Sequence, residues 1–212
     1  MNASNDMTNK DKATILYDHY KDSFAQQLES LRRRERIFYI LLLVLGVALF
    51  QIGSPAQTED VISAIISKQA GTDIGVSLEI ASSILWFAIL SLVVRYFQIV
   101  VYVERQYKYI HHLEAKLSTL LGEKDFISRE GTFYFQNYTS LSKWIWRLYT
   151  VVFPLFLIFV IGGRIGIELQ QTQTWTIASI ANFSIFVLLI IIIAEYLYQL
   201  HFTKRLVSSS IS

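Results

Sequence analysis

Long apolar runs alternate with charged segments along this chain of 212 residues. Four of the runs are candidates to cross about 30 Å of hydrocarbon, for which a helix needs roughly 20 residues; two of them are long enough and two are short. They occupy residues 37–53, 81–103, 148–164 and 177–198. The third run contains Pro154, whose missing amide hydrogen bond must be made up by neighbouring groups. The pattern therefore predicts four transmembrane helices.

Apolar residues also recur at helical spacing outside these runs. Residues 11–35 contain no Gly or Pro, and one face of the predicted helix carries Leu16, Tyr20, Phe24 and Leu28. Residues 76–121 also lack Gly and Pro, so the second run is predicted to continue as one helix through Leu120. We expect these amphipathic stripes to pack against each other or against a neighbouring subunit. They are the candidate face for partner or oligomer contacts.

The predicted fold class is all-α: a polytopic membrane protein with four transmembrane helices and a small cytoplasmic helical layer. No repeat, low-complexity segment or linker divides the chain, so residues 1–212 are predicted to form a single membrane domain. On the cytoplasmic side we expect an amphipathic arm (1–36), a helix with an aromatic interfacial segment (104–147) and a tail (199–212). On the outer side we expect two loops (54–80 and 165–176).

The composition supports this assignment. Hydrophobic residues make up 53% of the chain and charged residues only 17%, and the mean hydropathy is +0.39. These values are too apolar for an ordinary soluble enzyme of this size. The net charge of +2 provides no bulk polycation for nucleic acid. The absence of cysteine excludes disulfides, thiolate metal sites and a cysteine nucleophile.

The distribution of Lys and Arg predicts the orientation. Residues 1–36 hold seven of them and residues 104–147 hold seven more, whereas the outer segments hold only Lys68 and Arg164. Because cytoplasmic segments are enriched in Lys and Arg, both termini and the middle loop are predicted to be cytoplasmic.

Arg95 is the ionisable residue inside the second run. An arginine at mid-bilayer costs at least about 2.5 kcal/mol unless it is solvated or paired. Ser91, Arg95 and Gln98 share one helix face, which predicts a polar seam toward the bundle interior or a water-filled path. Glu195 lies at a similar predicted depth and is the candidate partner of Arg95, within one subunit or between two. The alternative is an Arg95 side chain that snorkels to the inner headgroups.

A basic cluster immediately precedes the first crossing. Its members are Arg32, Arg33, Arg34 and Arg36. Guanidinium groups present forked donors that match phosphate, so the cluster is a candidate site for an anion, a nucleotide or an anionic lipid. The alternative is a simple positive-inside anchor. In an oligomer, for which we take a tetramer as the working assembly, the arginines would form a ring.

The sequence offers no catalytic motif. It contains no HExxH, GxSxG, Walker or GxGxxG pattern and no carboxylate cluster with metal-ligand spacing. The histidines are not paired across two crossings as a membrane haem would require. We therefore expect no enzyme activity, no catalytic residue, no metal and no cofactor.

The layout of four short crossings with modest cytoplasmic helices resembles the small membrane subunits of bacterial anti-phage defence systems. The membrane proteins of Kiwa and Hailong systems, and the membrane effectors of retron and cyclic-oligonucleotide systems, are similar in size and layout. The resemblance covers the chain in outline. It implies a multi-pass protein of the bacterial inner membrane that forms homo-oligomers.

Three functions remain open on these grounds. The first is an oligomeric antiviral effector or sensor, channel-like and controlled through its cytoplasmic helices by a protein partner, a nucleotide or an oligonucleotide. The second is a non-conducting scaffold that recruits a cytoplasmic partner through the Leu16, Tyr20, Phe24 and Leu28 face. The third is a transporter accessory subunit.

Overall fold

A computed structural model describes residues 8–58, 60–61, 64, 78–122, 144, 147–171 and 176–201 of the chain. These residues are 97% helical and include no strand. The all-α prediction is confirmed for this part of the chain. Most of the predicted interfacial segment, the first outer loop and the C-terminal tail lie outside the described residues.

The described residues include four long α-helices. They are α1 (Asn9–Gly53), α2 (Leu78–Leu121), α3 (Phe153–Gln171) and α4 (Ile177–His201). All four are long and apolar enough to cross a membrane, as the apolar runs predicted. The arm joins the first run in one uninterrupted helix, and the second run continues to Leu121, so both predicted continuations are confirmed.

Local side chains explain where the helices begin and end. At the start of α1, Thr8 Oγ1 accepts a hydrogen bond from the Asp11 amide at 3.2 Å, and Asp11 Oδ2 accepts one from the Thr8 amide at 3.2 Å. This reciprocal capping box satisfies amides that have no partner inside the helix. Thr176 caps α4 by accepting from the Ser179 amide at 3.1 Å. After α2, Gly122 adopts a φ of 69°, the left-handed conformation that commonly terminates helices.

The third crossing differs from its prediction at both ends. Residues Leu148–Val152 form a π-helical turn, in which the amide of Phe153 donates to the carbonyl of Leu148. Pro154 follows at once, and because proline has no amide hydrogen it cannot complete the usual ladder there. The helix α3 continues to Gln171, seven residues past residue 164, where the crossing was predicted to end. The predicted second outer loop is therefore helical over its first part.

Contacts divide the chain into two compact units, each of which takes part of α1 and part of α2. The two-helix unit contains α1 up to Arg36 and α2 from Gln98. Its core joins residues of both helices, namely Tyr20, Ile110, Leu113 and Leu117, with Leu16 and Phe24 packed against them. The two amphipathic stripes therefore meet within one chain. The single domain stays a prediction.

The four-helix unit contains α1 from Ile37, α2 up to Phe97, and both α3 and α4. Large side chains from all four helices are fully buried in it, including Leu41, Trp86, Leu157 and Phe186. Apolar side chains also cover its outer surface: Leu43 is 71% exposed and Phe159 is 78% exposed. Large apolar side chains therefore occur both in the core and on the outer surface of this unit.

Candidate functional site

An aromatic layer joins the helices of the four-helix unit at one level. The ring of Phe38 lies 5.6 Å from that of Tyr96 and 5.0 Å from those of Tyr149 and Phe153. The ring of Phe97 stacks on that of Tyr196 at 3.9 Å. Because these contacts involve α1, α2, α3, α4 and the π-helical turn, they fix which residues of neighbouring helices share a level.

The aromatic layer supplies a scale for the rest of the unit. At 1.5 Å of rise per residue, α2, α3 and α4 extend about 27–29 Å from the layer to their far ends. On the same scale, Ser82, Arg164, Glu168 and Asn182 lie about 16–23 Å from the layer. These polar residues therefore lie well inside the helices and short of their far ends.

These residues form a buried polar cluster, which we call the Arg164 network: Ser82, Arg164, Glu168 and Asn182. Nε of Arg164 lies 3.4 Å from Oε2 of Glu168, one helical turn further along α3. Nη2 of Arg164 donates to Oγ of Ser82 at 3.2 Å. Nδ2 of Asn182 donates to Oε1 of Glu168 at 3.0 Å. The network thus connects α2, α3 and α4.

Burial makes these interactions important for stability. The side chains of Arg164 and Glu168 are only 14% and 18% exposed, and Ser82 and Asn182 are buried. Taking such charges out of water is expensive unless each is paired and hydrogen-bonded. Each charge of the pair has one neutral hydrogen-bond partner on a neighbouring helix. Removing either charge would leave the other buried without its counter-ion.

Unsatisfied polar atoms remain in the same unit. Oδ1 of Asn182, Nε1 of Trp86 and Oε1 of Gln51 are buried and have no hydrogen-bond partner in the part of the chain that the structure describes. The ring of Trp86 packs edge-to-face on Phe186 at 5.0 Å, four residues after Asn182 on α4. A buried oxygen beside a charged pair is a suitable acceptor for a water molecule or an entering cation.

The sequence analysis missed the Arg164 network. It placed Arg164 at the end of the third crossing and Glu168 in the outer loop, so neither was considered for an intramembrane pair. A signal was present, because an arginine and a glutamate four residues apart favour one helical face. The absence of proline after Pro154 also allowed the helix to continue past residue 164.

The predicted polar seam lies on the exposed surface of the chain. Ser91, Arg95 and Gln98 are all exposed on the surface of the chain, and Ser91 donates only to the carbonyl of Phe87, at 2.9 Å. The reason is that the opposite face of α2 carries the buried apolar residues Ile89, Val93 and Tyr96. The expectation that the seam faces the interior of this chain's own bundle was wrong. Its role as a pore lining or subunit contact stays a prediction.

Arg95 and Glu195 share a level but do not pair within the chain. Arg95 precedes Tyr96 and Glu195 precedes Tyr196, so both lie beside the aromatic layer. Both side chains are exposed. The described residues contain no ion pair between them, and Glu195 accepts a hydrogen bond from Gln199 at 2.9 Å. A contact between two subunits remains the other form of the prediction.

The predicted partner face is largely used inside the chain. Leu16, Tyr20 and Phe24 pack on α2 residues of the two-helix unit, and the Tyr20 hydroxyl donates to Oε1 of the buried Glu114 at 3.1 Å. Leu28 alone of this face is exposed. The face is therefore not available as a whole to a separate protein. The apolar stripe of α1 packs instead on the apolar stripe of α2 in the same chain.

The basic cluster divides into two kinds of arginine. Nη2 of Arg33 lies 2.7 Å from Glu29 Oε1, and Nη2 of Arg34 lies 3.9 Å from Glu35 Oε1. Arg32 and Arg36 are exposed and have no ion pair within the described residues.

No group of three or more potential metal ligands occurs in the part of the chain that the structure describes.

Comparisons with known proteins add no further assignment. No family model, no curated protein and no solved structure matches this chain.

Proposed function

We propose that the protein is a multi-pass protein of the bacterial inner membrane, with both termini in the cytoplasm. The four long apolar helices support this proposal. So does the four-helix unit, which exposes Leu43, Phe159 and other large apolar side chains to its surroundings. A surface of this kind is stable in lipid and aggregates in water. The excess of Lys and Arg in residues 1–36 and 104–147 supports the orientation.

Within the membrane, the protein acts as a channel-like effector or sensor of an antiviral defence system. The observation that carries the channel-like role is the buried Arg164–Glu168 pair, which is hydrogen-bonded to two other helices. Ionisable residues inside crossings are rare because of their cost, and they commonly mark ion or proton pathways. The defence role rests on the resemblance in layout alone.

The Arg164 network serves as the closure of this path. Its polar contacts tie α2, α3 and α4 together about 16–23 Å from the aromatic layer, inside the hydrocarbon if that layer lies at the inner headgroups. Separation of the three helices would expose a charged pair and the free oxygen of Asn182 to the space between them. A path opened in this way would be polar and would admit water and ions.

The functional form is a homo-oligomer. Arg95 and Glu195 are opposite charges at one level of the four-helix unit, and both are exposed on the chain. A contact between Arg95 of one copy and Glu195 of the next would use two different surfaces, and repeated contacts of that type form a ring when the rotation between copies closes. Such a ring would surround a shared path.

The scaffold alternative has less support. It required a free face made of Leu16, Tyr20, Phe24 and Leu28, and the first three residues of that face pack within the chain. No observation favours a transporter accessory subunit.

A leak assay on liposomes tests the proposal. Purified wild type and Glu168→Gln are reconstituted at equal density, and the loss of an imposed membrane potential is followed with a dye. The neutral amide keeps the size of the side chain but removes the counter-ion of Arg164, so we expect the variant to conduct and the wild type to remain nearly closed.

The matched control is Phe186→Ala, which removes an apolar contact with Trp86 in the same unit and leaves the Arg164 network intact. A leak in Glu168→Gln but not in Phe186→Ala supports a closure formed by the charged pair. Equal leaks in both would indicate general loosening. A potential held equally well by all three proteins would contradict the channel-like role.

A further inference from the structure

The four arginines that precede the apolar part of α1 have different environments. Arg33 is held by Glu29 at 2.7 Å, and Arg34, whose side chain is partly buried, has Glu35 as its nearest carboxylate partner at 3.9 Å. Arg32 and Arg36 are exposed, and neither forms an ion pair among the described residues. Two of the four guanidinium groups are thus uncompensated.

The two uncompensated arginines lie on the same side of α1. They are four residues apart, so their side chains are neighbours on the helix surface, and like charges in this arrangement repel. An anion between them would convert this repulsion into two attractions. Phosphate is a well-matched anion, because each guanidinium presents a planar fork of donors to two phosphate oxygens.

The next turns of α1 indicate where the phosphate comes from. In the helical register, Arg36 is followed on the same side by Tyr39, Ile40 and Leu43, all of which are exposed. An exposed tyrosine between a basic and an apolar stretch is typical of the headgroup level of a membrane. A ligand that contacts the arginines and these residues together needs both a phosphate and an apolar chain.

We infer that Arg32 and Arg36 form a binding site for the phosphate of an anionic phospholipid, whose acyl chains lie along the exposed apolar residues that follow on α1. The inference rests on the proposed membrane insertion but does not depend on conduction. It selects two arginines of the cluster and excludes the other two, which a positive-inside anchor would not do, because that effect counts charges without regard to their partners.

Lipid retention by the full-length protein tests the inference. The protein is reconstituted in nanodiscs of phosphatidylglycerol and phosphatidylcholine, recovered in mild detergent, and assayed for the phosphatidylglycerol that remains bound. The test variant is Arg32→Gln/Arg36→Gln, and the matched control is Arg33→Gln/Arg34→Gln, which removes the same net charge. We expect phosphatidylglycerol affinity to fall about tenfold or more in the test variant and less than about twofold in the control.

Five outcomes would overturn the inference. Equal losses in the two variants would show that only net charge matters, and an unchanged test variant would remove the arginines from the site. Displacement of the bound lipid by millimolar inorganic phosphate would assign the site to a free anion. Recovery of wild type from the membrane fraction is checked first. A soluble wild type overturns the membrane proposal as well, whereas a membrane-bound wild type without lipid selectivity overturns only this site.

Discussion

The two units of this chain distribute polar and apolar residues in opposite ways. In the two-helix unit the core is formed by Tyr20, Ile110 and other apolar or aromatic residues, and the exposed positions are mostly charged or polar. In the four-helix unit the charges of Arg164 and Glu168 are inside, while Phe159 is 78% exposed. Because α1 and α2 each contribute to both units, the difference does not arise from which helices form each unit.

The proposed insertion into a membrane explains the difference, because the two units would then be in different solvents. In water, apolar burial stabilises a unit and exposed charges are free of desolvation cost. In lipid, an exposed apolar side chain is already in a favourable environment, and polar groups must find partners inside the protein. The chain changes from one arrangement to the other along α1 after Arg36 and along α2 before Gln98. On α1 the change falls at the predicted start of the first crossing, residue 37, whereas on α2 it lies six residues before residue 103, the predicted end of the second crossing.

The largest expected effect comes from breaking the buried ion pair. Arg164→Leu should destabilise the protein by about 3–5 kcal/mol, because it leaves Glu168 buried without its counter-ion. Unfolding in mixed micelles measures the loss. The matched control is Arg164→Leu/Glu168→Leu, which removes both charges and should recover most of the stability. A double variant as unstable as the single one would contradict this assignment of the cost to an unpaired charge.

An apolar truncation in the two-helix unit should have the next largest effect. Ile110 is fully buried against Tyr20 and Leu117, so Ile110→Ala should cost about 2–4 kcal/mol through lost burial and a cavity. Hydrogen exchange of residues 16–24 should accelerate in parallel. The control Lys116→Ala, at an exposed position of the same helix, should change stability by less than about 0.5 kcal/mol. Unchanged exchange in Ile110→Ala would show that the two stripes do not pack in solution.

The sequence predicted the fold better than the site. The periodicity of Leu16, Tyr20 and Phe24 was sufficient to predict the amphipathic arm, and the length of the apolar runs was sufficient to predict four helices that are long and apolar enough to cross a membrane. The same rules placed Arg164 at a boundary, because an arginine usually ends an apolar run. Arg164 is buried in contact with Ser82 and Glu168, and Glu168 accepts a hydrogen bond from Asn182. Ser82 and Asn182 lie far from Arg164 in the chain, so these contacts leave no local sequence pattern.

The direction of Arg95 was also beyond sequence reasoning. Periodicity showed that Ser91 and Arg95 share a face of α2, but the inward face was decided by the packing of Ile89, Val93 and Tyr96. Both faces of a crossing are apolar enough to be buried, so hydropathy alone does not select between them. The predicted partner face had the opposite outcome. Its apolar pattern was predicted correctly, and the residues that pack on it belong to α2 of the same chain.

A smaller effect should follow from loss of one hydrogen bond in the two-helix unit. Tyr20→Phe removes the hydroxyl that donates to Glu114 at 3.1 Å, which should cost about 1–2 kcal/mol because the carboxylate is buried. Thermal unfolding measures the change. Tyr17→Phe is the control, since Tyr17 is exposed and stacks on the ring of Tyr20, and it should be nearly neutral. Equal effects of the two changes would show that the buried hydrogen bond does not account for the loss of stability.

The smallest effect should follow from an exposed apolar residue of the two-helix unit. Ile15 is exposed to solvent, so Ile15→Ser should change the free energy of unfolding by less than about 0.5 kcal/mol. Thermal unfolding in the same micelles checks this value. A loss as large as that of Ile110→Ala would show that Ile15 is covered, by a partner or by lipid, in the working protein.

Cysteine accessibility tests the two-solvent account most directly, and a chain without native cysteine needs no background substitution. Ile15→Cys and Phe159→Cys place a thiol at an exposed position of each unit. Both variants are treated with a water-soluble maleimide in membranes made permeable to the reagent, and again after unfolding in detergent. The account predicts fast labelling of Ile15→Cys in both states, and labelling of Phe159→Cys only after unfolding. Equally fast labelling of Phe159→Cys in intact membranes would contradict it.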